Sequence, residues 1–230
     1  MTEKKAPLLI ALDGPVGAGK SSLADEVARR LHILHLDTGA MYRALGLAAL
    51  ERGIDIQDEE AVSSLGEQIA LSVRFEDGRQ VTLLDGRPVD DHIRTQEVGN
   101  AASTVSRYQR VRRRMVQAQQ AIAREQSMII DGRDIGTVVL PDARVKVFLT
   151  ATAQERARRR LNQIQDKEPE LTFERVYEEL LLRDKQDQER AVDPLRQAED
   201  AVLLDTTGFE FEQSVQAILA IVEEAYGPAN

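Results

Sequence analysis

Nine residues, Gly14-Pro15-Val16-Gly17-Ala18-Gly19-Lys20-Ser21-Ser22, carry the types and the spacing of a phosphate-binding loop, G-x-x-x-x-G-K-[ST]. Glycines let successive backbone N–H groups turn inward around an anion without Cβ collisions. A helix starting at the end of the loop would point its positive N-terminal end at the same anion. Lys20 would bridge the β- and γ-phosphates of a nucleoside triphosphate, and the Ser21 hydroxyl would face a Mg2+ ion. An apolar run, Leu8 to Leu12, precedes the loop, and a helical stretch, Ser22 to Leu31, follows it. That strand–loop–helix context separates the motif from an ordinary glycine-rich turn.

Cationic residues recur where such a site needs them. Arg43 lies in the first turns of a helix that follows Leu36-Asp37-Thr38-Gly39-Ala40-Met41-Tyr42, at a strand end. Asp131-Gly132-Arg133-Asp134 directly follows the apolar run Met128–Ile130, at another strand end. Ligands of open α/β sheets bind at that carboxyl edge. Arg183, Asp187 and Arg190 are spaced i, i+4, i+7, which predicts one helical face, and Arg156, Arg159 and Arg160 are spaced i, i+3, i+4. Each group taken alone also reads as a helix salt bridge or a solvated face. Around a phosphate loop, together, they read as a polyanion site.

The elements that must hold these residues alternate. Strands are predicted at 8–12, 33–37, 128–130, 145–149 and 201–205, with helices at 22–31, 40–52, 154–165, 173–189 and 210–226. A helical stretch from Thr95 to Glu125 reads as irregular over Asn100 to Ser106. Strands spaced by helices imply a parallel sheet covered on both faces. One segment departs from the rhythm: Leu71, Val73, Phe75, Val81 and Leu83 alternate with polar residues, and Asp77-Gly78 and Asp85-Gly86 mark hairpin turns. This is a small antiparallel insert, either a moving flap or a passive elaboration.

Composition narrows the class. At 230 residues the chain fits one α/β domain with an insertion. Without cysteine there are no disulfides and no thiolate metal sites. No apolar run approaches the ~20 residues of a membrane span, and Met1 to Pro7 has no secretory character, so a cytoplasmic protein is expected. A net charge of −9 argues against general attraction to nucleic acid. Only six of the 30 basic residues are lysines, and the arginines cluster at Arg110, Arg112, Arg113 and Arg114 and at Arg156, Arg158, Arg159 and Arg160. Arginine suits small polyanions held in a pocket. Pairing with Glu and Asp on solvated helix faces is the alternative, and the pattern leaves it open.

The chain resembles bacterial cytidylate kinases of the nucleoside monophosphate kinase family. The resemblance is carried by Asp13-Gly14-Pro15-x-Gly17-Ala18-Gly19-Lys20-Ser21, by Leu36 to Arg43, and by Ile93-Arg94-Thr95-x-Glu97-Val98 with Ala101-Ala102-Ser103. It continues through Asp131 to Val139, Pro141-Asp142-Ala143, and Arg183-Asp184-x-x-Asp187-x-x-Arg190-x-x-x-Pro194-Leu195. Val16 stands where many members carry Ser and uses its backbone; Thr38 stands where some carry Ser and keeps a hydroxyl.

The resemblance implies a P-loop α/β core with a five-stranded parallel sheet flanked by helices. A single kinase domain over residues 1–230 would contain an antiparallel NMP-binding insert at 66–93 and a short lid at about 154–171. The implied reaction transfers the γ-phosphoryl group of ATP to CMP or dCMP, in pyrimidine nucleotide metabolism, with Mg2+ accompanying ATP. Gly14 to Ser22 would bind ATP, with Ser21 toward the metal. Thr38, Arg43, Ser103, Arg112, Arg133, Asp134, Arg183, Asp187 and Arg190 would bind CMP. Lys20, Arg133, Arg156, Arg159 and Arg160 would be catalytic, the last three closing over the transferring group as lid residues. A monomer without nucleic-acid or membrane partners is implied. Alternatives are a P-loop kinase for UMP, dTMP or a small alcohol, a nucleotide switch, for which no Asn-Lys-x-Asp element appears, and a nucleic-acid binder using Arg110–Arg114.

Overall fold

The structure, a computed structural model, describes residues 7–165 and 168–227. The expected N-terminal segment up to Ala6, with Lys4 and Lys5, lies outside the described residues, as do Asp166 and Lys167 of the expected lid. Two compact units are formed, one built on Ile33–Met128, the other on Leu9–His32 with the chain from Ile129 onward. A five-stranded sheet has the order β2-β6-β1-β7-β8, where β1 is Leu9–Asp13, β2 Leu34–Asp37, β6 Met128–Gly132, β7 Val145–Thr150 and β8 Val202–Asp205.

In the unit that carries the phosphate loop, β1 runs parallel to β7 (Ile10 beside Val145, Asp13 beside Phe148), and β7 runs parallel to β8. Strands covered on both faces should be apolar without alternation. Ile10, Leu12, Met128, Ile129 and Ile130 are accordingly fully buried. Helices α1 (Lys20–Leu31), α6 (Ala153–Ile164), α7 (Phe173–Glu189) and α8 (Phe211–Tyr226) belong to this unit, and Ala157 of α6 packs with Val176 and Leu180 of α7. A π-helical turn, Ile135–Val139, follows Asp134.

The other unit contains α2 (Thr38–Glu51), α3 (Glu59–Gln68), α4 (Gln96–Val105) and α5 (Gln109–Ala123). Its antiparallel sheet joins β3 (Leu71–Glu76), β4 (Arg79–Leu84) and β5 (Arg87–Pro88), with Leu71 opposite Leu84 and Glu76 opposite Arg79. Both Asp-Gly pairs adopt positive φ (49° and 77°, 50° and 79°), the two-residue turn chemistry that matches strand twist.

Three details differ from expectation. Asn100–Ser106 is not irregular: α4 runs through Val105, capped by the Thr95 hydroxyl on the Val98 N–H at 3.2 Å, and the chain breaks only at Arg107–Tyr108. Helix α3 is additional; Asp58 caps it and Glu59 and Glu60 fill its first turn, signals that were present in the sequence. Arg190 leaves the helical face expected for it. Helix α7 ends at Glu189, and Arg190 is its extended C-cap residue (φ −61°, ψ 141°), because the chain turns back so that the Leu195 N–H donates to the Asp187 carbonyl.

Candidate functional site

The phosphate loop forms where buried β1 gives way to α1. Gly14 passes so close to β7 that a Cβ there would lie 2.0 Å from the Leu149 carbonyl oxygen. Gly19 is the N-cap of α1 and supplies no capping side chain, which leaves the first N–H groups of the helix open to an anion. The Lys20 ammonium is buried and donates to the Pro15 carbonyl at 2.8 Å. Burial, reinforced by the Arg133 charge, pushes it down to about 7, against the pull of Asp131, Asp187 and Asp13. The Ser21 hydroxyl donates to the Asp131 carboxylate at 2.9 Å.

One hydroxyl and one carboxylate are a small protein donor set, of the kind that holds Mg2+ when substrate phosphates and water complete the shell. Among the described residues no group of three or more His, Asp or Glu could hold a metal alone. The pair therefore fits a cation delivered with a nucleotide. The sequence places Asp131 at a strand end and in the Asp131-Gly132-Arg133-Asp134 stretch, but carries no local signal for its pairing with Ser21, 110 positions away.

The expected acceptor residues of this unit form a buried ionic network. Arg133 donates to Asp187 at 2.7 Å, its side chain 21% exposed and that of Asp187 11%. Burial opposes the Arg133 charge, yet Asp187 outweighs it and raises the guanidinium above its ordinary range. Burial likewise opposes the Asp187 carboxylate, but Arg133, then Arg183 and Arg190, hold it below its ordinary range. Arg190 approaches Asp134 at 3.5 Å, both side chains nearly fully buried, and its Nε donates to the Asp193 carbonyl. Arg183 lies on α7, four residues before Asp187.

The expected lid arginines divide. Arg156 is buried and its donors go to protein: Nε to the Ala151 carbonyl and Nη1 to the Val16 carbonyl in the phosphate loop, both at 2.9 Å, and Nη2 to Asp184 at 2.7 Å. Arg159 pairs with Glu155 at 3.0 Å and donates to the Thr206 carbonyl at 2.7 Å. Arg160 is half-buried on the same helix. Asp184 stands in the Arg183–Leu195 stretch that carries the resemblance, but its pairing with Arg156, 28 positions away, has no sequence signal because only the fold joins them.

In the other unit, Asp37 organises the second group. Its carboxylate caps α2 through the Ala40 N–H at 3.0 Å and pairs with Arg43 at 2.6 Å. Arg43 Nε is buried with no hydrogen-bond partner among the described residues, so the guanidinium keeps a donor to give. Gln80 of β4 brackets the Asp37 backbone, accepting from its N–H at 2.8 Å and donating to its carbonyl at 3.2 Å. The insert is thereby keyed to the start of α2, where Thr38 is buried. Arg112 of α5 is also buried, donates to the Ser106 carbonyl at 3.0 Å and lies 5.7 Å over the Tyr42 ring. Ser103 is half-buried on α4.

Known proteins resemble the chain over most of its length. The family model described as cytidylate kinase matches residues 10–224. Similar proteins include the cytidylate kinases of Thermosipho melanesiensis (46% identical, covering 95% of this chain and 98% of that one) and Caldicellulosiruptor bescii (43%, 92% and 94%). That of Bacillus cereus is 43% identical, covering 94% of this chain and 96% of its own. Among solved structures, an uncharacterized protein from Eubacterium ventriosum aligns over 94% of this chain and 98% of its own, with a TM-score of 0.53 at 9% identity, a likeness of fold alone.

Proposed function

The chain belongs to the cytidylate kinase family, and from that premise we propose that it transfers the γ-phosphoryl group of ATP to CMP or dCMP, releasing ADP and CDP or dCDP. The observation that carries this reading is the loop itself: Gly19 leaves the first N–H groups of α1 without a side-chain cap, and the buried Lys20 ammonium is held at the same loop through the Pro15 carbonyl at 2.8 Å.

Phosphoryl transfer asks a protein for positioning and charge neutralisation rather than covalent chemistry. An α-phosphate oxygen of CMP attacks the γ-phosphorus while the bond to the ADP oxygen breaks. Gly14 to Ser22 would seat the ATP phosphates, with Lys20 on the β- and γ-groups. Ser21 and Asp131 would hold Mg2+, which neutralises charge developing on the phosphate oxygens. Arg43, Arg133 and Arg190 would grip the acceptor phosphate, Arg183 and Asp187 the ribose, and Ser103, Arg112 and Asp134 the cytosine edge, with Thr38 lining the acceptor side. A carboxylate at Asp134 accepts from the cytosine amino group and repels the uracil carbonyl, while Arg112 donates to a ring acceptor that uracil replaces with an N–H.

Arg156, Arg159 and Arg160 belong to the proposed lid at about 154–171, and 66–93 would be the acceptor-binding insert of a single kinase domain. In this conformation Arg156 braces the loop through the Val16 carbonyl, which leaves Arg159 and Arg160 as the better candidates to meet the transferring group. No helix among the described residues is long and apolar enough to cross a membrane. We place the protein in the cytoplasm, a monomer serving pyrimidine nucleotide metabolism without nucleic-acid partners.

The test is ADP release with CMP, dCMP, UMP, AMP and dTMP as acceptors, for the parent and for Lys20→Met. CMP and dCMP should stimulate release in the parent, and Lys20→Met should lower it by on the order of 10³-fold with the circular dichroism spectrum unchanged. Release indifferent to acceptor would mark a nucleotide switch instead. Near-normal turnover in Lys20→Met would remove the loop from the reaction.

A further inference from the structure

Asp13 is the last residue of β1 and directly precedes the phosphate loop, yet its side chain reaches the turn that follows β6. Its carboxylate is 4% exposed. One oxygen accepts from the Ile135 N–H and the other from the Gly136 N–H, each at 2.7 Å and across more than 120 residues of chain. Those two N–H groups open the π-helical turn Ile135–Val139, which begins immediately after Arg133 and Asp134. The first N–H groups of any helical turn lack partners within it, so an outside acceptor decides where the turn sits. A π-helical turn is rare and is found frequently at functional sites.

Asp13 is closely packed. Gly14, its neighbour, is pressed against the Leu149 carbonyl so tightly that no side chain fits. Burial pushes the Asp13 carboxyl up to about 6, with the two backbone hydrogen bonds and Lys20 working against that rise and the nearby Asp134 charge adding to it. The mechanism above assigns it no contact with nucleotide.

We infer that Asp13 is a positioning residue: by holding the Ile135 and Gly136 N–H groups it fixes Arg133 and Asp134 in register with the phosphate loop, and so sets both acceptor affinity and the preference for cytosine. This rests on the kinase reading and on Asp134 facing the base.

Asn is nearly isosteric with Asp but presents one acceptor and one NH2 group, so one of the two buried N–H donors would face another donor. Asp13→Asn should raise KM for CMP by ~10-fold or more and reduce the CMP-to-UMP preference by a similar factor, a larger change than in KM for ATP, which feels only the loss of the Asp13 charge near Lys20. Gly136→Ala provides the second variant. Its Cβ would come 3.3 Å from the Asp13 carboxylate and 3.3 Å from the Lys146 side chain, crowding the contact while keeping the Asp13 charge and both N–H groups. It should move KM for CMP and the base preference in the same direction by less, and it serves alone if Asp13→Asn does not fold.

Rates are to be read well below the melting midpoint of each variant. A lowered midpoint with unchanged KM for CMP and unchanged base preference, in the folded variants, would make Asp13 a structural residue and overturn the inference. A parent enzyme without CMP-dependent ADP release would overturn the kinase reading itself, an outcome visible before any variant is made.

Discussion

Two populations of arginine in this molecule obey different rules. On the outer faces of α1 and α5, Arg29, Arg30 and Arg110 pair with Glu26, Glu212, Glu60 and Glu67 at 2.6–2.8 Å, mostly with well-exposed side chains. At the ends of β2, β6 and α7, and on the buried face of α6, Arg43, Arg133, Arg190 and Arg156 instead meet Asp37, Asp187, Asp134 and Asp184. In these pairs the short carboxylate goes with lower exposure. Crossing between elements does not separate the two classes, since Arg30 also reaches Glu212 of α8 and Arg110 reaches Glu60 and Glu67 of α3. Charge clusters that look alike in a sequence are therefore separated by what answers them.

The sharpest way to break the buried class is Asp187→Ala. It removes a carboxylate held below its ordinary range and takes from the half-buried Arg133 its hydrogen-bonded partner, leaving only the more distant charges of Asp131 and Asp184 to offset it. Breaking such a pair costs about 3–5 kcal/mol. It should also weaken CMP use strongly, through the sugar contact and through the disturbed Arg133. Because folding lowers the Asp187 pKa, its stabilisation is complete above the unfolded-state value of about 4 and is lost as pH falls through the folded one. Urea midpoints followed from pH 7 down to pH 3 should thus fall less steeply in Asp187→Ala than in the parent. Equal slopes, or unchanged CMP and dCMP kinetics, would remove Asp187 from the class.

Local signals made much of this legible beforehand. The glycines and Lys20 announced the loop, the two Asp-Gly turns announced the insert, and apolar runs gave all five strands of the main sheet. What stayed hidden was whatever needs two distant segments. Asp13 with Ile135, Ser21 with Asp131, and Arg156 with Asp184 and Val16 have no sequence periodicity, because strand order alone decides which ends meet. Arg190 was misplaced on the helical face for the same reason: a spacing of i+7 implies a shared face only while the helix continues, and α7 stops one residue earlier.

Arg156 sharpens the comparison from within the buried class. Its charge is spent on the Ala151 and Val16 carbonyls and on Asp184, whose second oxygen is buried without a partner among the described residues. Arg156→Met should cost about 3 kcal/mol, since it strands the Asp184 charge. Adding Asp184→Leu should recover much of that by making both positions apolar. KM for ATP should rise in both variants, as each frees the Val16 carbonyl. A double variant no more stable than the single one would mean that the brace matters and the pair does not.

The smallest effect belongs to Arg110, and it is informative for being small. Arg110 Nη1 lies 2.7 Å from Glu60 and Nη2 2.8 Å from Glu67, a geometry as short as that of Arg133 with Asp187 at 2.7 Å, with side chains 40%, 77% and 57% exposed. Distance alone would rank it with Arg133. Water and salt screen an exposed pair, and ordering three long side chains costs entropy that the attraction barely offsets. Arg110→Gln should therefore shift the thermal midpoint by no more than about 2 °C, and the shift should shrink further in 0.5 M salt, roughly a Debye length of 4 Å. CMP and UMP kinetics should match the parent. Its neighbour Arg114 donates to the Glu67 and Ile69 carbonyls at 3.1 and 3.0 Å, capping the end of α3, which gives part of the basic run a structural use without nucleic acid. If Arg110→Gln instead slows CMP phosphorylation as Asp187→Ala does, the identity of the paired carboxylate carries no information and burial must be judged residue by residue.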